Sequence, residues 1–430
     1  MPGGRRLPRA LLLFAGLLGV FGATRPQPDT TLDGWRTLTG DRRDVQAAEV
    51  FLKRLMSEYH VTALSVAVLD QGRTVFARTL GSLSAGAPAD ARTVFRAASL
   101  TKPVFAYLVM KLVDEGVLGL DTPLCRYLDK PLHEYPAYAS LRGDARVERM
   151  TARLLLSHQG GLPNWRRVRP DGPIRFHSDP GDRFAYSGEG YCLLQFVIEQ
   201  VTGRGLATLA RDKVFEPLGM RDTSFLWEAG FDGRFAVDLD GPLGGLVQKT
   251  RLSANAAASL VTNAPDYARF AAAVMSGEGL SPGARAAMLE PRVALTSRSL
   301  FSAPGTDRGA NRAHKMAWTP GWGTFEDQHG PALFHVGMEE GCENYVELFP
   351  GRGLGVVFLS LTTSLESFSA PLVDYALGPA FSPLAWLEYG APPPANRTPA
   401  GALAAAAGLA AGVLGLALLA RRWRGRGGAR

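Results

Sequence analysis

The stretch Thr93–Lys111, TVFRAASLTKPVFAYLVMK, decides how this chain is read. It holds Ser99-Leu100-Thr101-Lys102, a serine followed three residues later by a lysine. Beyond it Val104, Phe105, Leu108, Val109, Leu112 and Val113 recur at helical spacing, and Val94 and Phe95 form a short apolar entry. The spacing predicts that Ser99 stands at or near the start of a buried helix. Residues three apart share a helix face, so the Lys102 ammonium can reach the Ser99 hydroxyl. A serine hydroxyl is a poor nucleophile at neutral pH and needs a base or a neighbouring cation. A helix N-terminus adds backbone N–H groups where an oxyanion would form. The tetrapeptide alone carries little, because any helix can pair a capping serine with a solvated lysine by chance.

Its company carries more. Met150–Pro163 reads MTARLLLSHQGGLP, Phe184–Tyr191 reads FAYSGEGY, Phe215–Thr223 reads FEPLGMRDT, and Phe334–Gly341 reads FHVGMEEG. In this order and spacing the segments resemble the serine β-lactamase and penicillin-binding-protein superfamily. The nearest branch is that of class C β-lactamases, D-alanyl-D-alanine carboxypeptidases and related esterases. The resemblance runs from about Asp44 to Ala380. It implies an α/β (α+β) fold of the β-lactamase/transpeptidase type, an antiparallel sheet flanked by helices plus an all-helical subdomain. It also implies acyl transfer with Ser99, Lys102 and Tyr186 as the catalytic group. Tyr186 would take the Ser99 proton and pass it to the leaving group, its pKa lowered by Lys102 and by His335 as a second cation. Gly188 and Gly190 fit a tight loop carrying Tyr186 into a cleft. His335-Val336-Gly337 would lie on a sheet-edge strand, with His335 lining the cleft, Gly337 admitting substrate to the backbone, and Met338 giving an oxyanion N–H beside that of Ser99.

One position departs from the family pattern. Tyr186-Ser187-Gly188 has glycine where Tyr-x-Asn is usual. The missing asparagine removes a donor and an acceptor for the amide of a peptide or β-lactam. Glu189 stands next to the gap. Gly279-Leu280-Ser281-Pro282-Gly283 matches Gly-x-Ser-x-Gly, but a helical run precedes it and Pro282 lacks the N–H an oxyanion hole would use, so it reads as a loop.

Elsewhere the pattern is regular. Val45–Tyr59 has helical periodicity, and Val61–Leu69 and Thr74–Leu80 are two strand-like runs around Gln71-Gly72, a hairpin signal. Thr151–His158 reads as helical, and Leu194–Val201 and Leu206–Val214 as two short helices joined at Thr202-Gly203-Arg204-Gly205. Ser253–Met275 reads as a loop followed by a helix from about Pro265. Tyr345–Phe349 and Gly355–Leu361 read as paired strands about Pro350–Gly353, and Ser367–Leu377 as a closing helix.

The ends differ from the body. Residues 1–23 join Arg5, Arg6 and Arg9 to the apolar run Ala10–Val20 and small residues at Gly22 and Ala23, a signal-peptide pattern; 24–43 is a linker. The hydrolase domain is placed at 44–390, followed by the Pro-rich linker 391–400. Gly401–Ala420 is uncharged and, against a requirement of about 20 apolar residues, long enough to cross a bilayer. The arginine-rich tail 421–430 would remain in the cytoplasm. The formal charge of +7 comes from the arginines of the two ends, so it makes no case for nucleic acid. Cys125, Cys192 and Cys342 allow one disulfide at most, and neither Cys-x-x-Cys nor His-Glu-x-x-His occurs, so no metal or cofactor is called for.

The reading is an exported serine hydrolase, tethered to the membrane by its C-terminal helix, acting on the ester, amide or β-lactam carbonyl of a small-molecule or peptidoglycan-like substrate. The alternatives are a D-alanyl-D-alanine carboxypeptidase or β-lactamase, and a catalytically silent member that binds peptidoglycan or a protein.

Overall fold

A computed structural model of the chain describes residues 34–83, 86–165, 173–236, 253–296, 300, 310–339, 341–362 and 367–387. The expected leader at 1–23, the first half of the following linker (24–33), and everything from 388 on, including Gly401–Ala420, lie outside them. Among the described residues no helix is long and apolar enough to cross a membrane.

A two-stranded ribbon, β1 (Gly34–Arg36) and β2 (Arg42–Asp44), leads into helix α1 (Val45–Glu58), which the Asp44 side chain caps by accepting from Ala47 N. The predicted hairpin follows as β3 (Val61–Asp70) and β4 (Arg73–Gly81). The short β5 (Phe95–Arg96) leads into α2 (Thr101–Asp114). Helices then dominate: α3 (Ala152–Leu156), α4 (Gly188–Thr202), α5 (Leu206–Ala210) and, after one π-turn, α6 (Glu216–Leu218). The chain returns through β6 (Val261–Thr262), α7 (Ala264–Ser276) and α8 (Pro282–Leu289). The short β7 (Val293–Ala294) and β8 (Ala317–Trp318) precede β9 (Gly323–Asp327), β10 (Gly330–Glu339), β11 (Cys342–Phe349) and β12 (Leu354–Thr362), and α9 (Ser369–Leu377) follows.

Eight strands form one antiparallel sheet in the order β4-β3-β12-β11-β10-β9-β8-β7. Both faces are covered, so its central strands read as continuous apolar runs. The two-residue period still sorts them. Leu64, Val66 and Val68 of β3, with Val356 and Phe358 of β12, pack with α1 and α9. Ala63 and Ala67, with Val357 and Leu359, face α2 and α7. The small residues on that second face admit α7 closely, where Ala264 N donates to Ser65 Oγ at 3.2 Å. Helix α2 is buried on nearly its whole circumference, which marks it as the central helix of the domain.

Two readings are corrected. Helix α4 begins at Gly188, well before the expected Leu194, because the Ser187 side chain caps it by accepting from Gly190 N at 2.9 Å. Gly188 and Gly190 are therefore the first turn of a helix and no loop. The Gly279–Gly283 segment ends in α8, where Ser281 is the N-cap and accepts from Ala284 N. Cys125, Cys192 and Cys342 form no disulfide.

Glu347 of β11 is buried and accepts from the Tyr345 hydroxyl at 2.5 Å. Burial, with Asp327 and Asp374 adding to it, pushes its carboxyl up from 4.5 to about 8. The native state therefore holds this proton where the unfolded chain has lost it. Its contribution to stability is full below pH 4.5 and is lost as pH rises through about 8. Glu347→Gln should accordingly gain on the parent in denaturant midpoint as the pH is raised from 5 to 8; a gap that does not widen would contradict this.

Candidate active site

Ser99 sits in a tight turn, Ala98–Leu100, that runs directly into α2. Ala98 has φ +47°, in the left-handed region, which costs a non-glycine residue about 1–2 kcal/mol. The surroundings hold the turn there. Thr101 Oγ1 donates to Ala98 O at 2.5 Å, Ala97 N donates to Leu260 O at 2.9 Å, and Tyr267 Oη donates to Leu100 O at 3.0 Å.

The predicted i, i+3 contact is present. Lys102 Nζ donates to Ser99 Oγ at 3.0 Å, and its other acceptor is the Ala257 carbonyl at 2.9 Å. Lys102 is fully buried, and among the described residues no carboxylate pairs with it. Burial pushes its ammonium down to about 7. Near neutrality a large share of Lys102 is thus a neutral amine in contact with the serine hydroxyl. Aromatic rings complete the enclosure: Nζ lies 4.8 Å from the Tyr186 ring centre, 5.7 Å from that of Tyr191 and 5.9 Å from that of Trp165.

Tyr186 stands immediately before the Ser187 cap of α4 and is 8% exposed. His335 is fully buried in β10, its ring centre 6.5 Å from that of Tyr186. Burial, with Lys102 adding to it, pushes His335 down to about 3. It is neutral at working pH and lines no open cleft, so the expectation of a second cation beside Tyr186 is corrected. Its Nδ1 contacts its neighbour's carbonyl, Val336 O, at 2.8 Å.

The edge expectation for this strand holds for half of it. Residues 330–334 pair with β9 and residues 333–339 with β11, so among the described strands β11 alone pairs with His335 to Glu339. Gly337 lies on that open half. A Cβ there would meet Ala97 O at 2.4 Å and Leu100 Cγ at 3.0 Å. The glycine thus admits the serine-bearing turn, where the sequence suggested substrate. Met338, one residue on, pairs with Glu343 across the sheet.

Several contributors were not read from the sequence. Asn164 and Trp165 dock on the first turn of α4: Gly188 N donates to Asn164 Oδ1 and Glu189 N to Asn164 O, each at 3.0 Å. A Cβ at Gly188 would stand 2.8 Å from Asn164 O and 3.0 Å from the Trp165 ring. Glu189 is buried in the same turn. Gln195 of α4 holds the 254–257 loop through Ala254 O and Ala256 N, which sets the Ala257 carbonyl on Lys102. His158 packs on Tyr186. His158, Asn164 and Trp165 lie in or just after the Met150–Pro163 motif, whereas Gln195 and the 254–257 loop carry no such signal.

The sequence matches the family described as Beta-lactamase over residues 49–378. The chain belongs to the Beta-lactamase family. Its relatives include a protein named penicillin-binding protein 4 from Amycolatopsis lactamdurans, 27% identical over 346 residues, covering 75% of this chain and 87% of that one. Esterase EstB from Burkholderia gladioli is 31% identical over 218 residues, 44% of this chain and 52% of that protein. Among solved structures, the octameric penicillin-binding protein homologue from Pyrococcus abyssi superposes with a TM-score of 0.62 at 22% identity, covering 80% of this chain and 79% of that one. Family membership makes the chain a serine hydrolase of the β-lactamase fold.

Because Lys102 is buried without a counter-charge, it costs stability. The unfolded chain keeps its proton to 10.5 and the native one loses it near 7, so the cost is full at and below pH 7 and fades as pH rises toward 10.5. Lys102→Met should therefore leave the thermal midpoint at pH 7 unchanged or raised while Ser99 loses reactivity toward a fluorophosphonate. A clear fall in the midpoint would show that the lysine is a net structural asset.

Proposed function

We propose that Ser99, activated by Lys102 and Tyr186, hydrolyses carboxylic esters through an acyl-enzyme. Ser99 Oγ attacks the ester carbonyl and its proton passes to Lys102 or Tyr186. The C–O bond to the alcohol breaks and that proton leaves with the alcohol. Water then attacks the acyl-serine, releasing the acid and restoring the serine hydroxyl. The N–H groups of Ser99 and Met338 are the proposed oxyanion donors, and one such donor is worth about 3 kcal/mol. The observation that carries the reading is the 3.0 Å contact between Ser99 Oγ and a buried lysine amine.

The preference for esters rests on Gly188. The family's asparagine is absent, and Asn164 and Trp165 occupy the space its stem would need. The amide of a peptide or β-lactam therefore lacks its usual partner, whereas an ester asks for none there. The relative named an esterase agrees with this reading. The relative named a penicillin-binding protein supports the second one, a D-alanyl-D-alanine carboxypeptidase or β-lactamase. We place the hydrolase outside the cytoplasmic membrane, exported by residues 1–23 and tethered through Gly401–Ala420, on the charge and hydropathy of those segments.

Purified protein should cleave a p-nitrophenyl acyl ester, lose that turnover in Ser99→Ala, and cleave a chromogenic cephalosporin far more slowly. Cephalosporin turnover at a comparable rate would favour the second reading. Neither turnover nor fluorophosphonate labelling of Ser99 would leave a silent binding protein.

A further inference from the structure

Both backbone amides that flank Tyr186 end on one residue. Ala185 N donates to the His158 carbonyl at 2.7 Å, and Ser187 N donates to His158 Nδ1 at 3.1 Å. The imidazole also packs on the phenol, with ring centres 4.2 Å apart and planes inclined by 35°. Tyr186 is thus fixed before, after and across its ring by a side chain and carbonyl that belong to the end of α3.

His158 is held in a costly conformation to do this. Its φ is +56°, where histidine, asparagine and aspartate are the non-glycine residues found most often. Gln159 N returns to Leu154 O at 2.7 Å, which closes the sharp turn after α3. Accepting at Nδ1 requires that nitrogen to be bare, so the proton sits on Nε2. Nε2 has no hydrogen-bond partner among the described residues. It is enclosed by rings instead: Phe184, Tyr191 and Trp318 have centres 5.7, 5.2 and 5.3 Å from that of His158. Burial, with Lys102 and His335 nearby, holds the imidazole well below its ordinary range, so it carries no charge and moves no proton at working pH.

We propose that His158 is a positioning residue for Tyr186, clamping the backbone on both sides of the phenol and stacking on it so that the hydroxyl stays in register with Lys102 and Ser99. The proposal rests on the reading of Tyr186 as a proton carrier. Misplacing a reacting group by about 1 Å costs about a hundredfold in rate, which sets the scale of the effect.

The test is a double-mutant cycle on p-nitrophenyl ester turnover by the full chain, with thermal midpoints measured alongside. His158→Ala should lower kcat by about a hundredfold with KM little changed. In a Tyr186→Phe background the same substitution should cost little more, because the group it positions is gone. His158→Asn should recover most of the loss, since asparagine tolerates positive φ and its Oδ1 can accept from Ser187 N. A folded His158→Ala with parental kcat, a loss carried by KM, or an equal loss in the Tyr186→Phe background would overturn the proposal. If His158→Ala fails to fold, His158→Asn decides: kcat near the parent supports the clamp, and a loss as deep as that of Tyr186→Phe refutes it. Absence of any Ser99-dependent turnover in the parent, judged against Ser99→Ala, would remove the hydrolase reading and this proposal together.

Discussion

The constraint on which the site depends is a lysine amine buried without a counter-ion. Taking an ammonium out of water costs several kcal/mol unless it is paired, and among the described residues the hydrogen-bond acceptors of Lys102 are a serine hydroxyl and one backbone carbonyl, with no carboxylate. The protein answers by lowering the proton affinity of the amine, which is what a base at neutral pH requires. A carboxylate in the same place would have restored the charge and removed the base.

Much of the architecture serves that arrangement. Helix α2 can carry Lys102 inside the domain because helices and sheet close over it on every side. Gln195 holds the loop that presents the Ala257 carbonyl, and Tyr186, Tyr191 and Trp165 keep the amine among rings. On the other side, the half of β10 that pairs only with β11 brings Gly337 against Ala97 and Leu100, so the serine turn rests on the sheet. A stability cost at Ala98 and at His158, both at positive φ, falls on the turn that carries Ser99 and on the turn that holds Tyr186.

The fold was largely legible because its signals are local. The β3–β4 hairpin shows in two strand-like runs about Gln71-Gly72, and α1 in its periodicity. Ser99 and Lys102 were legible because three residues on a helix fix their contact. What failed depended on distant partners. Gly188 and Gly190 look like a loop until Asn164, 24 residues from Gly188 in the chain, is seen docked on that turn. His335 looks like a cation until its burial is known, and Gly337 looks like room for substrate until the serine turn is found in that space. His158 gave no separate signal, because its partners lie nearly thirty residues on, at Ala185 and Ser187.

The most direct measurement is the titration of Lys102 itself. In protein carrying carbon-13 at the lysine ε position, the Lys102 signal is assigned by its absence in Lys102→Met and followed with pH by NMR. The account predicts a midpoint near 7. A midpoint at or above 10, the range of a solvated lysine, would mean that the group beside Ser99 is a permanent cation, and the account of its activation would fall.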